Sequence, residues 1–181
     1  MIKRSPKLFS AFILFILLLS VSYLFIREYD NFHPITQGEA YRSAQLDRDE
    51  LAYYIRTYNI RSIINLRGDD LSATWYREEK QVCAEHNVKL YDLSLSACRE
   101  PLKEEIQTLI MLFNKIPRPV LLHCRSGSDR TGLAAAIWKV VVDKQPKSEA
   151  KEQLSPFFGH FPIGKTAALD RFFQNWDPEV L

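Results

Sequence analysis

The chain has 181 residues, of which 46% are hydrophobic and 25% charged, with a formal net charge of +2. That length and balance fit one folded domain with an appendage and exclude a disordered chain. So small a net charge, with no lysine- or arginine-rich tract past the first few residues, argues against nucleic acid as a partner.

Residues 1–7 form a basic tail carrying Lys3, Arg4 and Lys7. From Leu8 to Ile26, LFSAFILFILLLSVSYLFI, nineteen residues pass without a charge. At about 1.5 Å per residue such a run crosses a hydrocarbon core of about 30 Å, which predicts a transmembrane anchor over 8–26. The basic flank keeps the N-terminus cytoplasmic and puts the remaining chain across the membrane, in an extracytoplasmic location. A cleaved signal peptide competes, with small residues at Ser20–Ser22, but YLFI carries the apolar run past them and favours an anchor. A buried helix of the folded domain is the third reading.

Residues 27–38, with Pro34 and Gly38, read as a linker running into an edge strand or turn, and residues 39–181 as the domain. Asp47 to Tyr58 has helical spacing, with Leu51, Ala52, Ile55 and Tyr58 on one face and Asp47 as a possible cap. Arg61–Gly68, RSIINLRG, is a short β-branched run ended by glycine, a buried strand. Thr74 to His86 reads as helix and Val88–Ala97 as a strand with a slipping period. Pro101 opens a helix through Asn114, as proline suits a first turn. RPVLLHC is the next strand, Arg130 to Asp143 an alanine-rich helix, and Ser148–Leu154 and Thr166–Trp176 close the chain. Strands alternating with helices predict an α/β fold, a central mixed sheet covered on both faces.

The stretch VLLHCRSGSDRTGLAAA, Val120 to Ala136, holds the clearest chemistry. Strand, tight turn and helix follow each other, so unpaired backbone N–H groups converge where the helix dipole adds partial positive charge. The ligand such a nest prefers is a tetrahedral oxyanion, above all phosphate. Gly127 permits a twist that a side chain would obstruct. Arg130 can fold back as a two-pronged donor to two phosphate oxygens. Cys124 would form the floor, where the donors that hold a phosphate also favour a thiolate. A thiolate beneath a bound phosphate attacks phosphorus in line and forms a phosphocysteine, splitting one displacement into two. The candidate phosphate contacts are Arg125, Ser126, Gly127, Ser128, Asp129 and Arg130. Arg125 points either into the rim or into solvent. Thr131 would donate to the leaving thiolate, and His123 would order the loop rather than act as base. The chemistry needs no metal and no cofactor. The three cysteines show no zinc or disulfide spacing. Cys83 reads as an inert buried thiol, and a protective Cys98–Cys124 disulfide is a weaker possibility.

The run His123-Cys124-Arg125-Ser126-Gly127-Ser128-Asp129-Arg130-Thr131 resembles the cysteine-dependent protein and lipid phosphatases, whose signature is HCxxGxxR followed by serine or threonine. Tyr41–Gln45 (YRSAQ), Ser62–Arg67 (SIINLR) and Gly159–Phe161 (GHF) are similar, in that order, to the small dual-specificity-like phosphatases, many of them bacterial. The resemblance covers Glu39 to the C-terminus. It implies a single phosphatase domain and hydrolysis of phosphomonoesters. One departure stands out: where those enzymes usually carry an aspartic acid for the leaving oxygen, the strand pattern puts Ala97, with Asp92 upstream and Glu100 nearby. Asp129 is then the clearest acid, in a DR ending similar to that of myotubularins and Sac-type phosphoinositide phosphatases. Its other reading is a cap on the following helix. Arg42 and Ser43 either hold a strand-end turn or contact substrate, and His160 reads as structural.

The resemblance leaves phosphotyrosine proteins, phosphoinositides and other phospholipid or lipopolysaccharide phosphates as substrates. An anchor would raise the effective concentration of lipid headgroups and tilt the choice to lipid. A phosphate-binding pseudophosphatase is the alternative outside catalysis, although such proteins usually lack the cysteine or the arginine. Sulfurtransferases and arsenate reductases fit less well, by loop length and by the loop's late position in the chain.

Overall fold

The computed structural model describes residues 12–18, 20–21 and 30–178. Five short strands form one sheet: β1 (His33–Thr36), β2 (Ala40–Ser43), β3 (Ser62–Asn65), β4 (Lys89–Asp92) and β5 (Val120–His123). Their spatial order is β1-β2-β5-β3-β4. The β1–β2 pair is antiparallel and every other neighbouring pair is parallel. The helices are α1 (Arg48–Tyr58), α2 (Thr74–Glu85), α3 (Lys103–Lys115), α4 (Asp129–Val141), α5 (Lys147–Ala150) and α6 (Ala167–Asn175), with 3-10 turns at Lys151–Gln153 and Pro156–Phe158. The outcome is the single α/β domain with a mixed sheet that the alternation of elements implies.

Each face of the sheet follows from the two-residue period of a strand. Ile64 and Leu122 point to one side, into a core with Ile106, Leu109 and Phe113 of α3, Leu133–Trp138 of α4, and Leu169 and Phe173 of α6. Ile63 and Leu121 point to the other, against Leu51 and Ile55 of α1 and Val82 and Cys83 of α2. β3 and β5 are buried along their whole length, which explains why they read as unbroken apolar runs. α1 starts at a reciprocal cap: Glu50 N–H donates to Asp47 Oδ1 (2.9 Å), and Asp47 N–H donates to Glu50 Oε2 (2.8 Å). It ends at Asn59 in the left-handed region, φ 52°.

Three expectations change. The transmembrane anchor over 8–26 is corrected: residues 12–18 and 20–21 are helical, yet no helix among the described residues is long and apolar enough to cross a membrane. The single-pass placement with an extracytoplasmic domain falls with it. Residues 1–11, 19 and 22–29 lie outside the described residues, and so does the basic tail. Second, the sheet begins at His33, inside the segment read as a linker: β1 is the edge strand there, and β2 after it is interior. A proline within β1 and an arginine within β2 hid both strands, since neither suits a buried run. Third, the strand expected over Val88–Ala97 stops at Asp92, and the helix expected from Pro101 starts at Lys103.

Candidate active site

Parallel register sets the ends of four strands side by side. Ser43 is level with His123, His123 with Asn65, and Asn65 with Asp92. Chain leaving these ends builds the site, at the strand C-termini where open α/β sheets bind ligands. Cys124 follows β5 directly and is 1% exposed. The loop then turns through Gly127, φ +71°, and enters α4 at Asp129.

Gly127 is needed twice over. Its φ lies where L side chains are strained, and a β-carbon there would come within 2.7 Å of Ser43 C and O and of Ala44 N. The loop therefore rests backbone against backbone on the end of β2. From that strand Arg42, completely buried, donates from Nη2 to the Gly127 carbonyl (2.8 Å). Its Nη1 donates to both Gln153 O (2.9 Å) and Gln153 Oε1 (2.8 Å), and the guanidinium stacks 3.8 Å above the Phe158 ring. Burial pulls this guanidinium down to about 9, against an opposing pull from Cys124. Of the two readings for Arg42, bracing the loop is the one its contacts describe. Ser43 donates to the Ala44 carbonyl. Asn31 adds a clamp from the supposed linker, donating to Ser126 O (3.1 Å) and Phe158 O (2.9 Å).

Below the loop, His123 Nε2 lies 2.7 Å from Glu79 Oε1, with both side chains 2% exposed. This is ion-pair distance without hydrogen-bond alignment. His123 Nδ1 faces the Cys124 carbonyl at 3.4 Å. Arg130 donates from Nη1 to the Leu66 carbonyl (3.3 Å), and Leu66 N–H donates to His123 O (2.9 Å), so the segment after β3 ties both ends of the loop. Thr131 is fully buried, and its hydroxyl has no protein partner among the described residues. Ser128 is buried beside the Ser126 carbonyl, whereas Arg125 and Ser126 are exposed.

Asp129 is the first residue of α4. The cap position is Ser128, which makes no side-chain capping bond. The Asp129 carboxylate faces His160 instead: Nδ1 to Oδ1 is 2.7 Å, with the aspartate side chain 23% exposed. His160 is completely buried, and its Nε2 lies 2.9 Å from Asp170 Oδ2 of α6. The other acid candidates are engaged elsewhere. Asp92 accepts from Asn65 (2.8 Å) and from the Tyr76 hydroxyl (2.6 Å), and Glu100 is an exposed partner of Arg171 (3.3 Å).

A further cation borders the site. Arg67, just past β3, donates to Gln45 Oε1 (2.9 Å) and lies 3.4 Å from the centre of the Trp75 ring. Burial lowers its guanidinium below the ordinary value, and Arg130 and Arg125 add to the effect. Gln45 N–H in turn donates to the Arg125 carbonyl (3.3 Å). Among the described residues, no carboxylate stands at ion-pair distance from Arg67, Arg125 or Arg130. The cysteines are all free, which corrects the Cys98–Cys124 disulfide; Cys98 is exposed and Cys124 buried. Burial pushes the Cys83 thiol up to about 12, with Glu79 and Asp92 adding to it.

Glu79, Asp170, Asn31 and Arg67 lay outside the candidates drawn from sequence. Glu79 and Asp170 look like solvated positions of amphipathic helices. Only the closing of the fold turns Glu79 to a histidine far away in the chain, and Asp170 to one ten residues before it.

Residues 26–165 match the family described as "DSP-PTPase phosphatase fused to NAD+ kinase". Among solved structures, P. aeruginosa TpbA is 23% identical with a TM-score of 0.64, over 83% of this chain and 87% of that one. A TpbA cysteine-to-serine variant in complex with phosphotyrosine is 22% identical, TM-score 0.65, with the same coverage. The catalytic core of the PP-IP phosphatase SIW14 from S. cerevisiae is 20% identical with a TM-score of 0.65, over 81% of this chain and 85% of that one. Likeness at these identities is likeness of fold.

Proposed function

The chain belongs to that DSP-PTPase phosphatase family and is a cysteine-dependent phosphatase; on this premise we propose that it cleaves phosphomonoesters through a phosphocysteine at Cys124. The observation that carries the reading is a buried sulfur at the floor of a loop braced from four sides, by Arg42, Asn31, Leu66 and the Gly127–Ser43 contact. In the first step Cys124 Sγ bonds to phosphorus as the ester P–O bond breaks, and the leaving oxygen takes a proton from Asp129. In the second, water bonds to phosphorus and gives a proton to Asp129, and the S–P bond breaks to return the thiolate and release phosphate. Loop N–H groups and Arg130 stabilise the equatorial oxygens in both transition states. Thr131, whose hydroxyl has no protein partner among the described residues, donates to the departing sulfur. Cys124→Ser should abolish phosphate release from para-nitrophenyl phosphate while orthovanadate still binds. Turnover at the wild-type rate in that variant would end this reading.

For the substrate we favour a compound with further negative charge beside the scissile phosphate, a multiply phosphorylated headgroup or polyol, over phosphotyrosine. The support is the excess of cations: Arg67 and Arg125 accompany Arg130, and none has a carboxylate at ion-pair distance among the described residues. Anchor-based tethering no longer weighs toward lipid. Arg67→Ala should lower kcat/KM on an inositol polyphosphate by about tenfold or more, the value of one charge-assisted contact, and change para-nitrophenyl phosphate little. Equal losses on both would favour the phosphotyrosine reading.

A further inference from the structure

His160 accounts for a buried polar constellation that phosphate binding does not require. It is wholly buried, its backbone N–H is pinned to the Ser155 carbonyl (3.1 Å), and it follows Gly159 in the left-handed region, φ +78°. Each ring nitrogen meets a different carboxylate, Asp129 from α4 at 2.7 Å and Asp170 from α6 at 2.9 Å. A neutral imidazole has one N–H and one lone pair, so it can satisfy only one ionised carboxylate. Only the imidazolium donates to both.

The other charged groups around it are few. Arg130 adjoins Asp129, Arg42 from β2 stacks on Phe158 two residues away, and His33 of β1 packs its ring against Phe157 and Phe158. Lys147 and Lys151 share a cavity of about 220 Å³ with Asp170. Burial alone would lower His160, yet the hydrogen bonds of Asp129 and Asp170 outweigh it and leave it raised above the ordinary 6.5.

We propose that Asp170 holds His160 as an imidazolium, and that His160 in turn positions Asp129 and strengthens it as the proton donor of the reaction. The inference rests on the reading of Asp129 as the acid. His160 Nδ1–H occupies Oδ1, so the moving proton travels on Oδ2. In the first step Oδ2–H passes to the leaving oxygen, and the new carboxylate is stabilised by the cation beside it. In the second step Oδ2 takes a proton from the attacking water. The imidazolium keeps both its protons throughout and Asp170 stays ionised, so among these three groups only Asp129 changes charge, while the Cys124 thiolate is consumed and returned. His160 and Asp170 are positioning residues: neither touches the phosphoryl group.

The sign of the pH dependence follows. Once pH rises past the value of His160, the ring loses a proton, Asp129 loses its donor, and cleavage of poor leaving groups falls. The experiment compares kcat against pH for phenyl phosphate, a poor leaving group, and para-nitrophenyl phosphate, a better one. The wild type should show an alkaline limb on phenyl phosphate. Asp170→Asn, which removes one of the two counter-charges, should shift that limb to lower pH. His160→Gln, which keeps an N–H donor but carries no cation, should shift the limb further in the same direction and lower the rate on phenyl phosphate more than on para-nitrophenyl phosphate. Asp129→Ala should slow phenyl phosphate by about 10²-fold or more and para-nitrophenyl phosphate less, as expected of a general acid. If Asp129→Ala slows both equally, the acid assignment itself fails. If it discriminates as expected while Asp170→Asn and His160→Gln leave the limb where it was, the role of His160 alone is overturned.

Discussion

Two buried histidines flank the same loop, and they are built differently. His123 faces Glu79 with both partners 2% exposed, so the pair is sealed from solvent. His160 is just as deeply buried, but its two carboxylates keep 23% and 19% of their side-chain surface. The first arrangement we read as holding a shape. The second connects a buried ring to groups that reach water, and one of them lies in the loop between Cys124 and Arg130. Burial of a histidine says little about its use; the exposure of its partner is what sets apart the pair we read as bracing from the one proposed to assist proton transfer.

The comparison can be broken most forcefully at Glu79. Removing one member of a buried pair strands the other, a loss of about 3–5 kcal/mol. Glu79→Ala should therefore lower the unfolding midpoint severely, as read by thermal melting. At temperatures where the variant stays folded, its rates on phenyl and para-nitrophenyl phosphate should fall by the same factor. A change in their ratio would place Glu79 in proton transfer and erase the distinction. A middling effect is expected at His160 when stability is read against pH. Its folded value is raised, so its contribution is whole below about 6.5, the ordinary imidazole value, and is lost as pH rises through the folded value. Asp170→Asn should flatten that decline in melts from pH 6 to 9, and an unchanged slope would count against the imidazolium.

The smallest effect is expected where a carboxylate has no histidine at all. Asp30, next to the loop clamp Asn31, is pushed up to about 6 by burial first and then by Glu50 and Asp47. An acid raised in the folded state contributes most below its unfolded value of 3.8, and the contribution is lost as pH rises through about 6. Asp30→Asn should accordingly raise the melting temperature at pH 8 and leave it unchanged at pH 3. Asparagine also tolerates the φ of 52° at this position. A gain that persists at pH 3 would point to backbone preference rather than charge.

The cradle was legible because it is local. Strand, cysteine, glycine, arginine and helix lie within one short run, and each constrains the next. α1 was legible for the same reason, since Asp47 and Glu50 announce their own cap. The supports were not legible. Asn31 stands in a stretch that reads as linker, and Arg42 is a charge in a fully buried strand. Glu79 and Asp170 occupy helix positions that differ in no local way from solvated ones, and only packing turns them inward. The apolar run at Leu8–Ile26 misled in the opposite direction. Hydropathy is a local sum, and it pointed to a membrane crossing for which no helix among the described residues is long and apolar enough.

The close approach of Gly127 to Ser43 and Ala44, with Arg42 latched to the Gly127 carbonyl, means that the loop we propose as the seat of a tetrahedral anion is held in shape by the protein's own contacts. Such a mould does not distinguish a phosphoryl group still joined to its alcohol from one already set free. On the proposed function, orthophosphate leaving the enzyme would vacate a place shaped for it, and clearing the product would belong to the catalytic task as much as breaking the ester.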